Sequence, residues 1–141
     1  GFVNYETWVP SKQMLTPEVE AFLKDYQARA GAEGVDPLGY YLGTWGYAYI
    51  ELLGKAVEGA KSLDDNKIAE YIQANTIKTI LGDIKYGKNG EWTESVMLQV
   101  QYHSIKSNTV DQFRSMDTQT VVHPAKQETG KVIYPFEKAR P

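Results

Sequence analysis

The sequence has 141 residues, a formal net charge of −3 at pH 7 and no cysteine. Without a broad basic field, nucleic acid and anionic membrane surfaces are excluded as favoured partners, which leaves small molecules and other proteins. The absence of cysteine excludes disulfides, thiolate metal sites and thiol nucleophiles, and the length predicts one core in a single domain.

The N-terminal part predicts a strand followed by a helix. The stretch from Phe2 to Pro10 is rich in aromatic and β-branched residues and stops at a proline, which is typical of a strand and its exit. Thr16-Pro17-Glu18 then supplies an N-cap, a proline at the first helical position and an acid in the first turn. Apolar side chains follow at helical spacing, namely Val19, Phe22, Leu23, Tyr26 and Ala30. Gly31 and Gly34 are predicted to end the helix.

A second, longer helix is predicted within the stretch GYYLGTWGYAYIELLGKAVEGA, Gly39 to Ala60. At 100° per residue one broad apolar face emerges, which we expect to be core: Trp45, Tyr49, Leu52, Leu53, Ala56, Val57 and Ala60. Tyr47 lies away from that face. If the helix begins near Leu38, then Tyr40, Thr44 and Tyr47 line one side of its first two turns, a mixed aromatic and hydroxyl surface typical of small-molecule clefts. Spacing alone leaves Tyr47 open as either a cleft residue or an exposed tyrosine.

The remaining chain predicts one more helix and several strands. Ser62 with Asp65 resembles a capping box for the third helix. Asn89-Gly90 indicates a hairpin or tight turn between apolar segments. The later extended segments are Ser95 to Ile105, Thr118 to His123 and Lys131 to Phe136. This order of elements predicts α/β or α+β and does not choose between them.

The residues that could carry chemistry have simpler interpretations. His103 and His123 have no second ligand at a metal-binding spacing, so no metal site is predicted. His103 and Ser104, with Asp111 or Asp117, match a catalytic triad by residue type only, because neighbours on a strand point to opposite faces. The glycines around Lys88 lack the spacing of a phosphate-binding loop. We therefore predict no catalytic residues and no cofactor.

Several short motifs occur here in the order typical of a known family. The chain resembles the C-terminal part of the substrate-binding proteins of branched-chain amino acid (Leu/Ile/Val) type ABC transporters. No one motif is specific, but together they cover almost the whole chain in the family's order. The segments that carry the resemblance are Gly1 to Pro10, Pro17 to Gly31, Gly46 to Asp64, Ile80 to Trp92 and Leu98 to Ile105. Among them are a long helix opened by a tyrosine, a glycine-bounded hairpin and a Gln-apolar-Gln strand.

The resemblance implies an α/β fold of the type 1 periplasmic binding protein class, with two three-layer α/β/α lobes joined by crossing strands. This sequence would supply only its C-terminal portion, and the fold is incomplete without the upstream chain. Residues 1–34 would form a strand and helix of the second lobe, residues 35–92 helices and a hairpin of the first lobe, and residues 93–141 the return crossing and tail. The start at Gly1 without a signal peptide also leads us to expect upstream residues.

The family's function implies a binding protein and not an enzyme. Its ligand, an amino acid or a related small carboxylate or amide, would sit in the cleft between the lobes and be delivered to an ABC permease at the periplasmic side of a membrane. Tyr47 matches the family's cleft tyrosine, and Trp45 and Thr44 are its neighbours. The tail from Asn108 to Pro141 is longer than in the family's amino acid receptors, so the ligand stays open.

Two alternatives remain at the level of sequence. The same fold serves as the ligand-sensing part of receptors and regulators, and a different upstream or fused segment would distinguish that role. The chain could also be a self-contained small α+β binding or enzyme domain, which requires a closed core within these 141 residues. If it is a portion of a larger fold, unpaired strand edges would favour self-association of the isolated chain.

Overall fold

The computed structural model describes residues 1–94 and 97–139, and for Tyr40 the backbone alone. The chain divides into two compact units. Unit 1 comprises Gly1–Tyr41 and Val96–Pro141, and unit 2 comprises Leu42–Ser95. Each unit gathers its own buried apolar cluster.

Along the described chain, one short strand is followed by three helices and then by four more short strands. In chain order the helices and strands are β1 (Val3–Glu6), α1 (Pro17–Ala30), α2 (Tyr40–Ala60), α3 (Asp65–Ala74), β2 (Thr76–Thr79), β3 (Gly82–Lys85), β4 (Leu98–Tyr102) and β5 (Gln119–His123). Short 3₁₀ turns occupy Val110–Phe113, Met116–Thr118 and Phe136–Ala139. Helices and sheets both contribute, which confirms the coarse prediction of a mixed α and β fold, and the paired strands run antiparallel.

Unit 1 is built on a three-stranded sheet with the order β1-β4-β5. Val3 pairs with Gln101 across one ladder, and Val100 pairs with Val121 across the other. Alternation along β4 directs Leu98 and Val100 into the core of the unit. Alternation alone suggests that the opposite face of β4 is an exposed polar surface, but the structure differs. Gln101 on that face is only 2% exposed.

The first helix follows its sequence signals closely. The Thr16 side chain accepts a hydrogen bond from the Val19 backbone N–H, and Pro17 occupies the first turn. Val19 and Ala30 are buried, and the apolar residues between them at helical spacing are half-buried. The predicted apolar face and the predicted end of α1 next to Gly31 are therefore confirmed.

Unit 2 packs α2 and α3 around the hairpin of β2 and β3. Its core consists of Leu52, Ala56, Ile68, Ile77 and Ile84. The predicted apolar face of α2 is only partly correct, because Tyr49 is 61% and Leu53 49% exposed. The buried line instead runs through Thr44, Ala48, Leu52 and Ala56 at a spacing of four residues. Tyr49 and Leu53 each lie one residue, about 100°, beyond that line and so leave the core.

In the loops of unit 2, the structure corrects the predicted N-cap of α3 and confirms the predicted turn at Asn89-Gly90. The N-cap of α3 is Asp64, whose carboxylate accepts from the Lys67 backbone N–H, and not Ser62. Ser62 instead accepts from the Asp64 N–H and fixes the turn before the cap. The tight turn at Asn89-Gly90 is confirmed, with Gly90 at φ +78° and a bridge between Tyr86 and Trp92 on either side.

Among the described residues, no helix has both the length and the apolar character needed to cross a bilayer.

Candidate functional site

A cleft within unit 1 lies where β1 leaves the sheet. It has a volume of about 510 Å³, which falls in the range of small-molecule sites. The residues that line it come from β1 and the segment after it, from the start of α2 and the turn before it, from the end of β4, from the 3₁₀ turn Val110–Phe113 and from the start of β5. They are Asn4, Tyr5, Glu6, Trp8, Val9, Pro10, Leu38, Tyr41, Tyr102, Phe113 and Gln119. We call this space the unit 1 cavity.

The antiparallel register creates the central contact of the unit 1 cavity. Glu6 pairs with Leu98 across the β1–β4 ladder, so Glu6 shares a sheet face with Leu98, Val100 and Tyr102. The Tyr102 hydroxyl reaches along this face and donates a hydrogen bond of 2.5 Å to the Glu6 carboxylate. Phe113 packs edge-on against the Tyr102 ring, with centroids 6.3 Å apart. The carboxylate is therefore positioned by a tyrosine that is itself held by an aromatic neighbour.

The unit 1 cavity has one negatively charged group, the Glu6 carboxylate, among lining residues that are largely aromatic. Glu6 is the one carboxylate among its described lining residues, and none of those residues is lysine, arginine or histidine. The amide side chains of Asn4 and Gln119 provide neutral donors and acceptors. Such a combination suits a small solute that combines an apolar body with polar groups at defined positions.

The three residues predicted from sequence to contact ligand lie on α2, in unit 2. Thr44 is fully buried, whereas Tyr47 is 50% exposed. Trp45 is half-buried against Trp92, with ring centroids 5.6 Å apart and an edge-on geometry. Its indole Nε1 is buried and has no hydrogen-bond partner among the described residues. The fourth member of the predicted surface, the Tyr40 side chain, lies outside what the structure describes.

Of these three α2 residues, Trp45 lines a described space in unit 2. Trp45 lines a space of only about 20 Å³ beside Trp92, enough for about one water molecule. Thr44 and Tyr47 differ in burial although both were expected on the same side of the helix. Their role in binding therefore stays a prediction.

Sequence reasoning missed the unit 1 cavity because its key partners are distant in the chain. Glu6 and Tyr102 are separated by 96 residues. Each looks ordinary in its own segment, since alternation predicts only that Tyr102 shares a face with Leu98 and Val100. The alternation of apolar and polar residues from Ser95 to Ile105 predicted a strand but did not reveal that β1 pairs with it.

His103 is hydrogen-bonded to its neighbours, whereas His123 is exposed. His103 Nε2 lies 2.7 Å from the Thr120 hydroxyl, and His103 Nδ1 lies 3.0 Å from Ser104 Oγ. The expectation that His103 and Ser104 point to opposite faces is wrong, because Ser104 follows the end of β4 and has a positive φ of 54°. Asp111 pairs with Arg114 instead, at 2.8 Å. No group of three or more potential metal ligands occurs within residues 1–94 and 97–139.

Comparison with known proteins yields a distant likeness. No protein family model matches the chain. A protein of Pseudomonas aeruginosa named "Amino acid binding protein" is 34% identical over 77 residues, which is 55% of this chain. The matched stretch covers 19% of that relative's length. The likeness therefore supports a distant relationship to an amino acid binding protein.

Proposed function

We propose that this chain is the C-terminal part of the solute-binding component of an ABC transporter, with a type 1 periplasmic binding protein fold. The whole protein would capture an amino acid or a related small molecule in a cleft between two lobes and deliver it to a membrane permease. The single observation that carries the proposal is the unit 1 cavity, with its aromatic walls and the positioned carboxylate of Glu6. The name of the Pseudomonas relative supports an amino acid as ligand.

The role is binding without covalent chemistry. A ligand held at micromolar affinity supplies about 8 kcal/mol, part of which would keep the two lobes closed. Closure can be driven only by contacts that the open form does not make. We place this activity in the periplasm, with the permease subunits as protein partners and no cofactor.

The division of the chain supports the proposed lobes. The second lobe would contain residues 1–34 and 93–141, and the first lobe residues 35–92. The observed units change over at Tyr41/Leu42 and at Ser95/Val96. The first change lies seven residues and the second three residues beyond a proposed lobe boundary.

An exposed apolar stripe on α2 supports the proposal that more chain belongs to unit 2. Leu42, Tyr49, Ile50 and Leu53 are between 49% and 72% exposed and lie at helical spacing. Contiguous exposed apolar surface of this kind marks an interface. In the proposed fold, upstream residues of the first lobe would cover it. In the isolated 141 residues, the same stripe would favour self-association.

The proposal is tested by ligand binding to the complete polypeptide, including any residues that flank these 141. Thermal unfolding is followed in panels of amino acids, small carboxylates and amides, and calorimetry then measures the affinity of each hit. A true ligand at 100 times its dissociation constant stabilises the folded state by about 2.7 kcal/mol. If no member of any panel shifts unfolding or binds by calorimetry, the proposed function is wrong.

Phe113→Ala locates the binding site. We expect it to weaken ligand binding, because it removes a wall of the unit 1 cavity and the support of Tyr102. Tyr134→Ala is the matched control, since Tyr134 is an aromatic residue of unit 1 that is 83% exposed and does not line the cavity. Equal affinity in both variants would contradict a site in this cavity.

Tyr47→Ala tests the residue predicted from sequence. If Tyr47 forms an apolar wall of the ligand cleft, its truncation should weaken binding by calorimetry without lowering the unfolding temperature appreciably, because Tyr47 is half exposed. Ile50→Ala on the same helix, which is 72% exposed, is the control. An unchanged affinity for Tyr47→Ala would return Tyr47 to its other interpretation, an exposed tyrosine.

A further inference from the structure

We propose that residues 129–139 set the affinity of the unit 1 cavity for its solute by holding the start of β1 in place. We call these residues the C-terminal strap. The positioning residues are Gln101 on β4 and Phe136 in the strap, and neither is among the described residues that line the cavity. This inference rests on the proposed function and adds a control of affinity from outside the binding site.

The C-terminal strap is bonded to two strands of the unit 1 sheet. Beside β5, the Thr129 backbone N–H donates to the Val121 carbonyl at 2.9 Å, and the Val121 N–H donates to the Thr129 hydroxyl at 2.9 Å. Beside β4, the Ile133 N–H donates to the Gln101 side-chain oxygen at 2.6 Å, and the Gln101 amide donates to the Ile133 carbonyl at 3.0 Å. Since the strand order is β1-β4-β5, the strap runs across the sheet toward β1.

The strap then packs against the residues that lead into β1. The Phe136 ring lies edge-on to the Phe2 ring, with centroids 5.7 Å apart. The approach to Gly1 is closer still, because a Cβ built there would lie 2.7 Å from Phe136 Cδ2 and 3.0 Å from Ala139 Cβ. The Gln101 amide also donates to the Gly1 carbonyl, at 3.3 Å. The start of β1 is therefore held by both the strap and β4.

The start of β1 is connected to the unit 1 cavity through the strand pairing. The Tyr102 N–H donates to the Phe2 carbonyl at 2.8 Å, and the Tyr102 hydroxyl bonds Glu6. Asn4 and Tyr5 follow on β1 and also line the cavity. A shift of β1 against β4 would therefore move several lining residues at once. Groups that bind a solute keep their geometry only if the backbone that carries them is fixed.

The strap affects affinity because an unheld β1 would have to be ordered by the solute. Among the described strands, β1 lies at the edge of its sheet and pairs with β4 alone. The cost of ordering a loose strand on binding is subtracted from the affinity. Gln101 is only 2% exposed, so its bonds to the strap are shielded from competing water. With the strap in place, that ordering is complete before the solute arrives.

The test compares variants of the complete polypeptide by calorimetry, at a temperature where circular dichroism shows each variant to be folded. The probe is whichever of leucine, phenylalanine and glutamine the unsubstituted protein binds most tightly. We expect Phe136→Ala to weaken binding at least about fivefold, the lower end of typical coupling between separate sites. Gln101→Met keeps the length of the side chain and removes its bonds to the strap, so we expect a similar loss.

Two controls and a second readout separate positioning from general destabilisation. Phe136→Tyr keeps the ring and should retain the affinity. Val132→Ala lies in the strap but truncates a side chain that is 54% exposed, and it should leave affinity unchanged. Hydrogen exchange without solute gives the second readout. Phe136→Ala should speed exchange of the Tyr102 amide, which bonds the Phe2 carbonyl, and leave the Thr129 amide beside β5 unchanged.

The outcomes separate this inference from the proposed function. If the probe binds Phe136→Ala with unchanged affinity, or if Tyr102 exchange is unchanged, the inference is wrong while solute binding stands. If Val132→Ala weakens binding as much as Phe136→Ala does, the effect is general destabilisation and the inference is again wrong. If no probe and no compound of the amino acid panel binds, the proposed function fails and the inference with it. Weaker binding confined to Phe136→Ala and Gln101→Met, with faster Tyr102 exchange, supports both.

Discussion

Gly59 of unit 2 has no room for a larger side chain unless a neighbour moves. A Cβ built on Gly59 would lie 2.1 Å from Tyr71 Cζ and 2.4 Å from Tyr71 Oη, whereas a Cβ on Gly54 of the same helix meets no atom within 4 Å. Tyr71 is half-buried and packs against the core formed by α2, α3 and the hairpin. The two glycines therefore offer a matched comparison, because both are helical and only Gly59 faces a ring.

We expect Gly54→Ala to raise the free energy of unfolding and Gly59→Ala to lower it. Replacing glycine by alanine within a helix stabilises it by about 0.5–1 kcal/mol, and we expect that gain for Gly54→Ala. Gly59→Ala has the same gain, but the Tyr71 ring must move by more than 1 Å to reach ordinary van der Waals contact, roughly an overpacking cost of 1–3 kcal/mol. The difference between the two variants should therefore be about 1–3 kcal/mol in unfolding free energy.

A double-mutant cycle with Tyr71→Ala isolates the cause. Without the ring, Gly59→Ala should become stabilising by about 0.5–1 kcal/mol, like Gly54→Ala. Urea unfolding of the complete polypeptide, followed by circular dichroism, measures the four free energies. If Gly59→Ala is as stable as Gly54→Ala, or if the cycle shows no coupling, the close contact between α2 and α3 is refuted.

Three further perturbations test long-range contacts and one titration. Gln101→Leu should lower the unfolding free energy by about 1–3 kcal/mol in urea unfolding, because the buried amide bonds the Ile133 backbone N–H at 2.6 Å and its C=O at 3.0 Å; an unchanged value would contradict this. Glu51→Ala should cost about 1–3 kcal/mol in the same assay, because its carboxylate accepts from the Ile80 N–H at 2.9 Å and from Lys55 Nζ at 2.6 Å; exposed Glu58→Ala should cost less. Burial, and then the charge of nearby Tyr49, raise the pKa of Tyr86 above its ordinary value of 10.0, so its contribution to stability is full below pH 10.0 and is lost as pH rises through the folded-state pKa. Tyr86→Phe should therefore reduce the loss of stability between pH 9 and pH 11, and an identical alkaline loss in both proteins would contradict this assignment.

The local elements of this chain were predictable because their signals act over a few residues. At the start of α1, the Thr16 side chain accepts from a backbone N–H that has no partner within the helix, and Pro17 occupies a position that needs no N–H donor. Gly90 adopts the positive φ that its turn requires. The cap of α3 was misplaced by two residues. Ser62 and Asp64 both have side chains suited to capping, and only backbone geometry decides between them.

Burial was less predictable than secondary structure. The hydrophobicity of Tyr49 and Leu53 indicated core, yet both are exposed, because the buried side of α2 is centred on smaller residues such as Thr44 and Ala48. A helical pattern specifies which residues share a face. It does not specify which part of a broad apolar face contacts a neighbour, since that depends on where the neighbour lies.

By itself, the sequence determined the helices, the strand character of β1, β4 and β5, and the resemblance to a family of solute-binding proteins. Those features rest on residues close together in the chain, where spacing and turn chemistry are sufficient. Only tertiary structure decided that Glu6 and Tyr102, 96 residues apart, form one contact, and that Gln101 is buried. The physical reason is register: pairing of distant strands sets which side chains meet, and no local propensity encodes that pairing.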